Sequence, residues 1–308
     1  AFAPGAGDYA VSEKENRALF DFLFDAFNIY AVVTFGPTNN LSSPVTFNPA
    51  ALAKRIITGW YDTDVKANAL VSERYNKITK TKDAPKTQAE GGDFSQWAYL
   101  HYGRLSFSTP GWWVPKVSPD SARKEKKFVN EDANASYLRW AASQGITNTY
   151  SPWKAINHPD FPGQTVEVGG IDPFVLINPP YKMVDNIVAK HTDFVVGLAA
   201  MAPQIKLINL KSEKVSDGLT RITLTVMNDG DLPTYTKIGD RSYFLKKIVV
   251  KLNLNNNQTV ISGRKTQSLE SIQAKGFKEL TWLIKGNGKI TIDAGSPTTG
   301  NKSIEVSL

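Results

Sequence analysis

Apolar positions change their rhythm near Pro203. Upstream, helix-spaced apolar positions alternate with short continuous apolar runs; downstream, the apolar pattern has period two. Leu19, Phe22, Leu23, Ala26 and Phe27 keep helical spacing. Ser12-Glu13-Lys14-Glu15 before them has the form of a capping box, in which hydroxyl and carboxylate would satisfy free N–H groups of the first turn. Residues 29–35 (Ile-Tyr-Ala-Val-Val-Thr-Phe) are too few and too β-branched for a helix. They predict a strand buried on both faces, as in a parallel sheet, ended by Gly36-Pro37-Thr38-Asn39-Asn40. Further helices are predicted at about 49–61, onward to 77, from Phe94, at 134–143 and at 180–202. In the last of these, Met183, Ile187, Val188, Phe194 and Leu198 mark the buried side. Residues 104–109 and 165–168 read as strands.

From Ile205 the alternating runs are 205–210, 220–226, 247–252, 280–284, 289–292 and 303–308. Asn228-Asp229-Gly230, Asn255-Asn256-Asn257 and Gly286-Asn287-Gly288 separate some of them. Short strands between such turns predict an all-β sandwich, immunoglobulin-like in general shape. The expected architecture is an α/β unit over 1–203, with helices on the faces of a partial mixed sheet, followed by the sandwich over 204–308.

Composition narrows the function classes. Among 308 residues, 41% are hydrophobic and 21% charged, as in ordinary folded proteins. No apolar stretch reaches transmembrane length; the longest candidate, 194–203, reads as the end of a buried helix. The absence of Cys removes disulfides and thiolate chemistry. A net charge of +7 would suit an anionic partner, but Lys and Arg are scattered, with one cluster at 123–127 in a polar loop. No basic helix face accompanies it, which argues against nucleic acid as a partner.

The densest motif is Gly91-Gly92-Asp93-Phe94-Ser95-Gln96-Trp97-Ala98-Tyr99, running on to Arg104-Leu105-Ser106-Phe107-Ser108-Thr109-Pro110-Gly111-Trp112-Trp113. It resembles the segment of carboxypeptidase A-type (funnelin) zinc peptidases that ends in the general-base glutamate. Gly5-Ala6-Gly7 with Ser12-Glu13-Lys14-Glu15 resembles the family segment after its substrate-binding arginine, and residues 28–35 resemble the strand ending in its third zinc ligand, a histidine. Pro152-Trp153, His158-Pro159, residues 166–170 and the closing Glu305-Val306-Ser307-Leu308 are similar to a bacterial subgroup with a C-terminal β-sandwich.

Family enzymes bind zinc through His-x-x-Glu and a later His, and a glutamate takes the proton of the attacking water. Here His101, His158 and His191 are the only histidines, and none begins a His-x-x-Glu. The resemblance places Phe35 at the third zinc ligand, Pro110 at the general base and Gln88 near the family's substrate-capping tyrosine. It implies a catalytically degenerate homologue of the family's C-terminal half, without catalytic or metal-ligating residues and without a cofactor. Such a chain would act as a peptide-binding or assembly subunit, periplasmic or at the outer-membrane surface of a Gram-negative bacterium. Two other readings remain: the C-terminal fragment of an active zinc enzyme whose acid is Glu90 or Glu131, and a structural subunit of an envelope complex. Trp112 and Trp113 are the candidate ligand-stacking residues. Asp93 is a candidate site residue as well as a helix cap. The chain begins at Ala1, which together with the short sheet implies a processed or truncated chain. Either the missing N-terminal half or a partner chain would complete the α/β sheet.

Overall fold

The computed structural model describes residues 7–9, 11–87, 92–116, 132–147, 149–172 and 174–308. Its first part contains α1 (Lys14–Asp25), β1 (Ala31–Phe35), α2 (Pro49–Leu52), α3 (Asp62–Thr79), α4 (Phe94–Leu100) and β2 (Leu105–Thr109). It continues with α5 (Ala133–Ser143), β3 (Tyr150–Ile156), β4 (Val166–Ile171) and α6 (Tyr181–Ala200). β1 and β2 run parallel with Phe35 opposite Thr109, and among the described residues no third strand joins them.

The partial mixed sheet expected from the sequence is thus smaller than foreseen. Residues 165–168 belong to β4, which pairs antiparallel with β3 in a separate hairpin. On the far side of β2 a side chain stands in for a strand. Asn40 Oδ1 accepts the Ser108 N–H (2.8 Å) and Asn40 Nδ2 donates to the Ser106 carbonyl (2.9 Å). The strand predicted to be buried on both faces is only half-buried, and Phe35 at its end is 56% exposed; among the described residues no strand pairs with the outer edge of β1.

Leu105, Phe107, Ala31 and Val33 share a core with Val71 and Tyr75 of α3 and Phe194 and Leu198 of α6. The buried face of α3 is largely polar: Asp64, Asn68, Ser72, Tyr75 and Thr79 recur every three or four residues. Each reaches a partner; Asn68, for example, bonds Val45 N–H and the Asn40 carbonyl (2.8 and 3.1 Å). α1 packs by Phe20 and Phe24 against Trp97, with ring centroids 4.0 and 5.6 Å apart. Leu23 is buried with them, whereas Leu19 and Phe22 face outward. The capping box does not form: Glu13 is the N-cap without a side-chain bond, and the Ser12 hydroxyl donates to the Glu13 carboxylate. The helix foreseen at 49–61 is a single turn, because Thr58 N–H folds back onto the Ala51 carbonyl (3.3 Å) and Gly59 lies against Ala51. Val188, assigned to the buried side of α6, is 55% exposed.

The second part is a β-sandwich of two four-stranded antiparallel sheets. One has the order β5 (Ile205–Ser216), β6 (Leu219–Asn228), β10 (Phe277–Lys285), β8 (Thr259–Ser262). The other has the order β12 (Gly300–Ser307), β11 (Lys289–Ser296), β7 (Val249–Asn253), β9 (Thr266–Ser268). Alternate residues such as Ile222, Leu224, Val226, Trp282, Ile284, Ile290 and Ile292 form its core, as the period of two implies.

The loop after β6 joins the two parts. Buried Asn228 accepts from Gln204 and Gly230 N–H and donates to the Leu232, Ile272 and Gln273 carbonyls, which fixes the turn. Leu232 enters the helical core. Thr236 donates to the Gly103 carbonyl (2.7 Å), and Lys237 N–H, followed by a 3₁₀ turn (Ile238–Arg241), donates to Asp64 (2.7 Å). The sequence boundary near 203 is therefore a change of texture, with the loop beyond it built into the first core.

Candidate functional site: an apolar groove at the strand ends

Parallel strands leave their ligands room beyond their carboxyl ends. Here β1 ends at Phe35, and β2 runs out through Pro110, Gly111 and Trp112. α6 passes beside both ends and presents Val184, Ile187, Val188, His191, Val195 and Val196. Together with Ile177 and Pro179 these residues enclose a groove of about 610 Å³, within the usual range for a ligand pocket. Val188, Ile177 and Val196 are 55%, 65% and 66% exposed, so the groove presents apolar surface to solvent. Among the described residues, no Asp, Glu, Lys or Arg lines it.

Among the described lining residues His191 is the one titratable side chain, and its partners hold both nitrogens. Nδ1 lies 2.8 Å from the Ile187 carbonyl and so carries a proton. With one proton on the ring, Nε2 accepts from the Tyr75 hydroxyl (3.2 Å). The Tyr75 oxygen then accepts from Thr109 (3.1 Å), whose own oxygen accepts the Gly111 N–H (3.3 Å). Burial pushes the Tyr75 phenol up, against the opposing hydrogen bond of Thr109. This closed chain ties α3, β2 and α6 together beneath the groove. Gly111 has φ +77°, and a Cβ there would sit 3.2 Å from the Phe35 ring; the turn therefore favours glycine.

Phe35 and Pro110, the positions matched to a zinc ligand and a general base, do meet in this groove. A phenyl ring and a pyrrolidine offer no lone pair to a metal and no site for a proton, so these residues do not fit zinc. Among the described residues, no group of three or more His, Asp or Glu could hold a metal ion. His101 ends α4, His158 lies beyond β3 and His191 is on α6, so the three histidines occupy separate elements. Gln88, Glu90, Glu131 and the basic run 123–127 lie outside the described residues.

The two tryptophans part company. Trp112 lines the groove and packs on Trp140 of α5 (5.8 Å between ring centroids). Trp113 is absent from the lining and donates its indole N–H to the Lys82 carbonyl (2.8 Å). Asp93 is also outside the groove. It caps α4 by accepting Gln96 N–H (3.1 Å) and bonds the hydroxyls of Thr38 and Ser95. Partial burial pushes its pKa up, but the bonds from Ser95 and Thr38 outweigh it and hold the carboxyl below the usual range. The valines of α6 were missed as groove residues. Val184, Val188 and Val195 share a face with His191, and a wide apolar stripe in a sequence does not say which part stays uncovered.

Comparison with known proteins bears mainly on the sandwich. Residues 204–307 match the model of a domain of unknown function, DUF8731. Among curated proteins, none matches the chain. The CARDB domain of a Pyrococcus furiosus protein is similar at 17% identity, over 34% of this chain and 94% of that one, with a TM-score of 0.23. The GAE domain of GGA2p from Saccharomyces cerevisiae is similar at 13% identity, over 34% and 96%, with a TM-score of 0.21. DesR, a β-glucosidase from Streptomyces venezuelae, is similar at 16% identity, over 34% and 15%, with a TM-score of 0.20. These likenesses carry no functional assignment.

Proposed function

We propose that the chain is a catalytically degenerate homologue of the carboxypeptidase A-type zinc peptidases, acting as a peptide-binding or assembly subunit of a bacterial envelope. Its groove would take an apolar polypeptide segment without cleaving it, and its sandwich would be the immunoglobulin-like module of the subgroup. One observation supports the reading: the groove is walled by Phe35, Pro110, Trp112 and the valines of α6, with no carboxylate among the described residues and with both nitrogens of its histidine engaged. Such a lining gains from desolvating apolar surface, at about 25 cal/mol per Å² buried. It offers no group to activate water. The open outer edge of β1 and the exposed Phe35 beside it suit a polypeptide occupant, which could cover both.

The test uses the intact protein, supplied with zinc, and a short peptide ending in Leu-Phe. The expected result is substoichiometric zinc, a peptide that stays full-length by mass spectrometry, and its retention by the protein in equilibrium dialysis. One zinc per chain together with a peptide shortened from its C-terminus would overturn the proposal in favour of an active enzyme. A peptide neither shortened nor retained would overturn it as well.

A further inference from the structure

A second cleft lies where the helical part meets the sandwich loop, away from the strand ends. Its volume is about 400 Å³, and three segments build it: the chain after α2 (Arg55, Ile56, Ile57, Thr58), the end of α4 (Gln96, Leu100, His101) and the 3₁₀ turn with its successor (Ile238, Arg241, Ser242). The chemistry differs from that of the groove. Ile57, Leu100 and buried Ile238 give it apolar surface, and Thr58, Gln96 and Ser242 give it neutral hydrogen-bonding groups. Among the described residues, its charged side chains are two arginines, and no Asp or Glu lines it.

Both arginines are exposed, and among the described residues neither has an ion pair or a side-chain hydrogen bond. The acid next to Arg241 is already taken. Asp240 holds Lys237 (3.0 Å) and Lys247 (2.9 Å) and accepts the Tyr235 hydroxyl (3.0 Å). Those bonds from Lys247, Lys237 and Tyr235 outweigh its burial and keep its pKa below the usual carboxylate range. Two positive charges therefore face one cleft with no counter-charge among the described residues. The carbonyl end of α4 opposes an anion there, but a helix end carries only about half a charge, and two guanidinium groups exceed it.

We propose that this cleft binds a small organic oxyanion: a carboxylate or phosphate group joined to a compact apolar body. Arg55 and Arg241 hold the oxygens, since a guanidinium presents paired N–H donors in the geometry of a carboxylate or phosphate edge. Ile57, Leu100 and Ile238 cover the apolar body. The inference is independent of what the strand-end groove binds.

Phenyl phosphate and benzoate serve as probes, with benzyl alcohol as the neutral analogue. They are titrated into the intact protein while the arginine Nε–H resonances are followed by NMR at fixed ionic strength. Saturable shifts of Arg55 and Arg241 with either anion, and none with benzyl alcohol, are expected. The double substitution Arg55→Gln, Arg241→Gln should weaken binding by about tenfold or more, as loss of charge-assisted hydrogen bonds implies. Both side chains are exposed, so the variant should keep its fold, which circular dichroism checks. Unchanged affinity in the folded variant, equal binding of benzyl alcohol, or no saturable shift at either arginine would overturn the proposal.

Discussion

At the residue scale, the most consequential side chain outside the groove is Asp64. It is 1% exposed and, among the described residues, has no cationic partner. Instead it accepts from Tyr99 (2.8 Å) and from the Lys237 and Ile238 N–H groups (2.7 and 3.2 Å). Burial pushes its pKa above the usual carboxylate range despite those bonds. The folded state therefore holds this proton more tightly than the unfolded chain does. Stability from this group is greatest at low pH and declines as pH rises from the unfolded value of about 3.9 through the folded one. Subtracting the pH–stability curve of Asp64→Asn from that of the wild type should leave this decline, measured as Tm against pH; a flat difference would contradict it. Asp64→Ala leaves three buried donors without their acceptor and should cost about 2 kcal/mol or more in denaturant unfolding. Tyr75→Phe should likewise lose about 1–2 kcal/mol, since Thr109 and His191 both lose the hydroxyl that joins them.

At the element scale, legibility followed the source of the burial. The sandwich strands were readable because apolar alternation alone positions them, as with Ile222, Leu224 and Val226 on β6 or Ile290 and Ile292 on β11. α3 was readable as a helix but not for what it buries. Its inward side chains are Asp64, Asn68, Ser72, Tyr75 and Thr79, and their three- and four-residue spacing is invisible to a search for apolar periodicity. The far edge of β2 could not be foreseen either, because Asn40 completes it from 66 residues away in sequence. Of the site, Phe35, Pro110 and Trp112 came from the sequence, whereas the valines of α6 needed the fold. Gly263 offers a sharper test of the sandwich. It has φ +94°, and a Cβ there would lie 2.6 Å from Cδ1 of buried Trp282. Gly263→Ala should cost about 2–4 kcal/mol, combining overpacking with backbone strain. Gly218→Ala, at φ +65° with open space around it, should cost about 1 kcal/mol. Equal losses for the two in chemical denaturation would contradict this packing argument.

At the scale of the whole molecule, a sandwich with a closed core carries a helical part whose parallel sheet has two strands among the described residues and whose strand ends open on an apolar groove. The loop after β6 welds the two through Leu232, Thr236 and Lys237, so the groove is held by a framework that does not depend on the β1 edge. Among the described residues, no helix is long and apolar enough to cross a membrane. The central claim is that this groove binds apolar polypeptide, and one NMR titration tests it most directly. An unlabelled peptide ending in Leu-Phe is added to the isotope-labelled protein. The account predicts saturable shifts at Phe35, Gly111, Trp112, Val188 and Val195, lost in a folded Val188→Asp variant. Shifts confined to other surfaces, or binding indifferent to that substitution, would contradict it.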